Sequence, residues 1–140
     1  MNIYTNSAYE TTAEEFFDKL TAEKVDLLLD TRLKNTNQLA GFTKKNDLEY
    51  FVPKLLHADY VHDKLFSPAP TILERYLHGN IGWDAYADAY REDMRERDAV
   101  GQFFERYDEY HQVCLLGTAT RKRRSHVEVL KELLEQFQKA

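Results

Sequence analysis

Asp30-Thr31-Arg32, with Lys34 close behind, directly follows an apolar run, Val25-Asp26-Leu27-Leu28-Leu29. An arginine offers a planar fork of N–H donors matched to carboxylate or phosphate, and a neighbouring aspartate can hold that fork in place. Charged groups emerging where a buried strand ends serve as a ligand site or as a structural ion pair, and spacing alone leaves both readings open. A second grouping, Thr118 to Ser125, contains four consecutive cations, Arg121 to Arg124, just ahead of an apolar-periodic segment. A helix start presents free amide donors and the positive end of its dipole, so anions are favoured there. Basic side chains at that point oppose the dipole. They call for a bound anion or for acidic partners such as Glu128, unless they are simply a solvated charge run.

The five histidines are His57, His62, His78, His111 and His126; none are spaced i, i+4 and none fall in a metal signature, so no metal site is expected. His62, followed by Asp63, is placed to reach the same crevice as Arg32 and to act as a catalytic acid or base. A ring hydrogen-bonded to backbone would account for the same residue. Cys114 lies inside an apolar segment rather than on a loop before a helix, so it reads as a buried small hydrophobe, not a nucleophile. No cofactor is expected.

Four short strands must position these groups: Ile3–Thr5, Val25–Leu29, Ala58–His62 and Gln112–Gly117. Thr12-Ala13-Glu14-Glu15 has capping-box spacing and opens a helix carrying Phe16, Phe17 and Leu20. The polar stretch 33–45 reads as a long loop. Helices are expected from about Asn46, over Ile72–Leu77, along Trp83, Tyr86, Tyr90 and Met94, around Phe103–Tyr107, and at the end, where Val127, Leu130, Leu133, Leu134 and Phe137 form the buried side. This alternation predicts a single α/β domain over residues 1–140, with a small, mostly parallel sheet of about four strands and helices on both faces. Right-handed crossovers then put the loops after Leu29 and Leu116 at the same carboxyl edge, where open sheets of this kind bind ligands.

Composition narrows the function classes. Nineteen basic against 24 acidic residues give a net charge of −5, which disfavours nucleic acid as a partner. A lone cysteine excludes an intrachain disulfide and fits a reducing, cytoplasmic setting. No apolar run approaches the ~20 residues that span a bilayer, and the opening Met-Asn-Ile-Tyr-Thr lacks a leader's pattern, so no membrane association is expected.

Taken together, these segments resemble the family catalogued as domain of unknown function 488. The resemblance rests on Asp30-Thr31-Arg32 in the place of a D-V-R motif, a basic loop leading to Gly41-Phe42, then Tyr60, His62 and Leu65. An aromatic helix with Trp83, Tyr86 and Tyr90 and a final strand and helix complete it. It implies Asp30, Arg32, Tyr60, His62 and Arg124 as site residues. At the strand-end Cys of the family stands Gly117, and Lys122-Arg123-Arg124 stands for its C-H-R triplet, so thiol or Cys-His chemistry is not implied. Asp-Thr-Arg is also similar to the rhodanese domain, but the loop cysteine that sulfur transfer needs is missing. The expectation is a small anionic ligand bound by Asp30, Arg32, Lys34, Tyr60, Arg121 and Arg124, with His62 as the proton-transfer group. A protein-interaction or homodimerising module, using the Tyr-rich helix Gly82–Arg97, is the alternative.

Overall fold

The computed structural model describes residues 1–36 and 38–140, with side chains outside 38–40; Asn37, within the stretch expected to be a loop, lies outside the described residues. Four apolar segments form strands: β1 (Asn2–Ser7), β2 (Leu27–Asp30), β3 (Asp59–His62) and β4 (Gln112–Gly117). They pair in parallel throughout, in the order β1-β4-β2-β3. Parallel strands need crossovers; five helices lie in them and a sixth follows the last strand. These are α1 (Ala13–Ala22), α2 (Lys45–Leu56), α3 (Pro70–Leu77), α4 (Trp83–Glu96), α5 (Ala99–Tyr107) and α6 (Val127–Lys139).

Residues alternate between the two faces of each strand. Leu28, Cys114 and Leu116 pack with Phe16 and Leu20 of α1 and with Leu48 and Val52 of α2. Ile3, Leu27, Leu29, Val113 and Leu115 pack on the opposite face against α4, α5 and α6. Helices therefore cover both faces, and the two central strands, β2 and β4, are apolar throughout except for Asp30, Gln112 and Gly117.

Several local expectations are refined. Thr12 caps α1 by accepting from the Glu15 amide at 3.1 Å, but its hydroxyl meets the Glu15 carboxylate at 3.0 Å. The stretch 33–45 is not loop throughout: it includes a 3₁₀ turn over Gln38–Thr43 and the first residue of α2. Phe137 does not join the buried side of α6. It is 51% exposed and stacks on Phe104, because the helix's last turn runs past the edge of the core. In α4, Tyr86, Ala87, Tyr90 and Met94 are buried within the chain itself.

α1 and α2 lie on one face while α6, which follows β4, lies on the other. The chain leaving β2 and the chain leaving β4 therefore diverge to opposite faces. The crevice between the carboxyl ends of these neighbouring strands is the switch point at which open α/β sheets bind ligands.

Candidate functional site

β2 ends on Asp30, which is fully buried beside Leu116 of β4 and His62 of β3. Two residues later Arg32 folds back on it. Its Nε donates to Oδ1 at 2.9 Å and its Nη2 to Oδ2 at 2.8 Å, forming a two-pronged pair with side chains 1% and 0% exposed. The Arg32 amide adds a bond to Oδ1 at 3.1 Å, Asn35 Nδ2 reaches Oδ2 at 3.1 Å, and the Tyr60 hydroxyl donates to Oδ2 at 2.6 Å. Burial alone would raise the Asp30 pKa, but the bonds and charge of Arg32, helped by Tyr60 and Asn35, hold it below the usual carboxylate value. The same carboxylate, with burial, drives the Tyr60 hydroxyl upward and keeps it protonated. Asp30 is thus an ionised anchor with its lone pairs engaged.

Arg32 is not fully satisfied. Nη2 also donates to the Thr43 carbonyl at 2.6 Å, yet Nη1 is buried and has no hydrogen-bond partner among the described residues. An unmet buried donor costs about 1–3 kcal/mol, and more when charged, so it marks a place where an acceptor belongs. Arg32 forms part of the wall of a pocket of about 650 Å³ at the carboxyl edge of the sheet. Lys34, Arg123 and Arg124 line the same pocket, as do the hydroxyl-bearing Thr118, Thr120 and Ser125. The two cationic segments predicted from sequence therefore do converge on one cavity. A second pocket, about 380 Å³ between Asp88, Arg91, Arg95 and Leu133, lies away from the strand ends among surface side chains of α4 and α6.

The individual cations are placed differently. Thr120 and Arg123 exchange backbone bonds at 2.9 and 3.3 Å, closing a tight turn. That turn sends Arg121 outward to Glu10, with a side chain 93% exposed and outside the pocket lining. Arg124 borders the pocket, pairs with Glu128 at 3.0 Å and lies over the Trp83 ring at 4.4 Å. Asp30, Tyr60 and His62 do not line the pocket. Asp30 and Tyr60 support Arg32 from behind. His62 Nε2 stands 2.8 Å from the Arg32 carbonyl, so that nitrogen carries the proton and the ring braces the Arg32 backbone. Among the described residues no group of three or more His, Cys, Asp or Glu could hold a metal ion.

Two residues to which the sequence reading gave no role of their own stand against Thr31 at the end of β2 and beside the pocket. Ser125 and His126, just before α6, are each 2% exposed, and Ser125 lines the pocket. The Thr31 hydroxyl donates to the Leu116 carbonyl at 3.0 Å and must therefore accept from His126 Nε2 at 2.8 Å. The proton thus lies on Nε2, leaving Nδ1 as an acceptor 3.4 Å from Ser125 Oγ. Desolvation pushes the His126 pKa down to about 4, so the ring is neutral at pH 7. Gly117 lets α6 approach this closely, since a Cβ there would stand 2.5 Å from Ser125 Oγ and 2.8 Å from a Val127 methyl. The signal available in the sequence was position: a Ser-His pair between a strand-ending glycine and the first apolar residue of the last helix.

Comparison with known proteins adds one likeness. Residues 12–134 match the family model described as Domain of unknown function DUF488. No curated protein and no solved structure matches the chain. No helix among the described residues is long and apolar enough to cross a membrane.

Proposed function

We propose that this chain, which belongs to the domain of unknown function 488 family, binds a phosphate-bearing or otherwise anionic small molecule in the pocket at the carboxyl edge of its sheet. The observation that carries the reading is the Arg32 guanidinium. It is a permanent charge, 1% exposed and fixed by Asp30, its Nη1 buried without a partner among the described residues, on a residue that lines a 650 Å³ cavity. A donor fixed in advance loses little entropy on binding, and in a desolvated site its attraction for an anion exceeds that of a surface lysine. Lys34, Arg123 and Arg124 raise the local positive potential, and Ser125, Thr118 and Thr120 offer hydroxyls to the remaining oxygens. Tyr60 and Asp30 act through Arg32 as positioning residues. His62, expected from the sequence to transfer a proton, stands outside the pocket lining and donates to the Arg32 carbonyl, so in this reading it too acts through Arg32 as a positioning residue. A reducing cytoplasmic setting belongs to the same reading, supported by a single, buried cysteine.

Thermal-shift and calorimetric titration with inorganic phosphate and sulfate test this on wild type, on Lys34→Ala with Arg123→Ala, and on Arg32→Lys. The two exposed cations are removable without disturbing the core, whereas Arg32→Ala would strand Asp30. A ligand at 100 times its Kd adds about 2.7 kcal/mol to stability. The expected result is a saturable shift in wild type, weakened about tenfold or more in the double variant and in Arg32→Lys, whose point charge cannot reproduce the fork. Absence of any shift at millimolar phosphate and sulfate would overturn the proposal.

A further inference from the structure

Building on that anion-site reading, we infer that the natural ligand is a nucleoside monophosphate, its phosphate at Arg32 and its base along α3. The observation is an amphipathic helix that the rest of the chain covers only in part, through the stack of Tyr76 on Tyr86 of α4. Ile72, Leu73, Tyr76 and Leu77 give α3 an apolar stripe, yet none of its residues is buried, and Leu77 is 41% exposed. Leu73, Tyr76 and Leu77 line the pocket that the cations also border. An apolar face is normally spent on the core, so the part of this one that is not packed on α4 is left to whatever occupies the cavity.

Three features select the class of occupant. About 650 Å³ is the size of a site for an organic ligand, and a bare phosphate would leave most of it, including the α3 wall, unused. The wall is aromatic as well as aliphatic and is held in place. Tyr76 stacks on Tyr86 with centroids 4.2 Å apart and donates to the Arg124 carbonyl at 3.1 Å, which ties α3 to the cationic turn. Tyr9 lines the same pocket and adds a further aromatic ring to its wall. The α3 side of the lining is also not purely apolar: Glu74 and His78 belong to it, offering acceptors and donors where an alkyl chain would have no use for them. Sugar hydroxyls and the polar edge of a base do use them. A molecule with a phosphate at one end, hydroxyls between and a planar, polar-edged ring beyond satisfies all three.

Calorimetry on the full chain with a ladder of probes tests this: inorganic phosphate, ribose 5-phosphate, hexyl phosphate, AMP and a 5′-phosphorylated oligonucleotide. AMP is expected to bind about tenfold or more tightly than ribose 5-phosphate or hexyl phosphate, the scale of one base stacked on aromatic side chains. Leu73→Ser with Leu77→Ser is expected to bring AMP down to the affinity of ribose 5-phosphate while leaving that of inorganic phosphate unchanged. If phosphate binds and AMP is no tighter, the anion site stands and this inference falls. Hexyl phosphate binding as well as AMP also overturns it, and so does an oligonucleotide binding more tightly, which would move the phosphate from a free nucleotide to a nucleic-acid end. If no probe binds, both this inference and the site fall.

Discussion

Replacing Asp30 with Asn is the most informative single perturbation of the scaffold. The change is nearly isosteric, but it strips the counter-charge from a guanidinium that is 1% exposed and takes two of its bonds from that carboxylate. Removing one partner of a buried ion pair typically costs about 3–5 kcal/mol, because the surviving charge is left uncompensated in a low-dielectric interior. Weakened bonds from Tyr60, Asn35 and the Arg32 amide place the expected loss in the upper half of that range. Against a total stability of 5–15 kcal/mol this is a large fraction, and it corresponds to a fall in Tm of roughly 10–15 °C for a domain of this size. Urea denaturation followed by circular dichroism, with the m-value checked for constancy, measures it directly. Asp30→Leu with Arg32→Met supplies the control: removing both charges should recover most of the stability while abolishing anion binding. An Asp30→Asn loss below about 0.5 kcal/mol would refute the reasoning, since it would mean that Arg32 is solvated or paired elsewhere.

Two further consequences concern the turn before α6. His126 stays neutral in the folded chain down to about pH 4 because burial lowers its pKa, whereas an unfolded chain takes up that proton near 6.5. The unfolded state therefore binds more protons between those values, and stability should fall by about 3 kcal/mol as pH drops from 6.5 to 4, with no further loss from this group below. His126→Gln should flatten that slope in pH-dependent denaturation; an unchanged slope would place the titration elsewhere. Gly117→Ala would push a methyl against Ser125 Oγ and Val127, so a destabilisation of about 1–3 kcal/mol is expected by thermal melting, and a neutral outcome would show that α6 can retreat.

Much of the frame was legible because apolar runs bounded by polar residues permit few alternatives. Gln112–Gly117 reads as one buried strand and is one, and the helix–strand alternation leads directly to a parallel sheet with its loops on a common edge. Asp30 and Arg32 were visible as a pair, but whether they formed a site or a brace was not. The structure makes them a brace that leaves Nη1 unmet among the described residues, a distinction that depends on bonds to the Asn35 amide and the Thr43 carbonyl in the following loop and to Tyr60, thirty residues on from Asp30. The run Arg121–Arg124 was visible as charge, yet only the backbone turn between Thr120 and Arg123 decides that Arg123 and Arg124 border the pocket while Arg121 pairs with Glu10. Periodicity likewise identified α3 as amphipathic but could not say what covers its apolar face. The role of His126 escaped notice because, beyond its neighbour Ser125, its environment is assembled from Thr31 and the Tyr90 ring, which no spacing rule connects to it.

The central claim is that the Arg32 guanidinium meets an anion in this pocket, and nitrogen-detected NMR of the arginine side chains during a phosphate titration tests it most directly. Burial and the bond to Asp30 should protect the Arg32 Nε–H from exchange and make it resolvable, while exposed Arg121 provides an internal control. A saturable shift of the Arg32 Nη1 and Nε signals, with the Kd found by calorimetry and with Arg121 little changed, is the predicted result. Shifts confined to the exposed arginines and rising linearly with phosphate, with Arg32 unmoved, would contradict it.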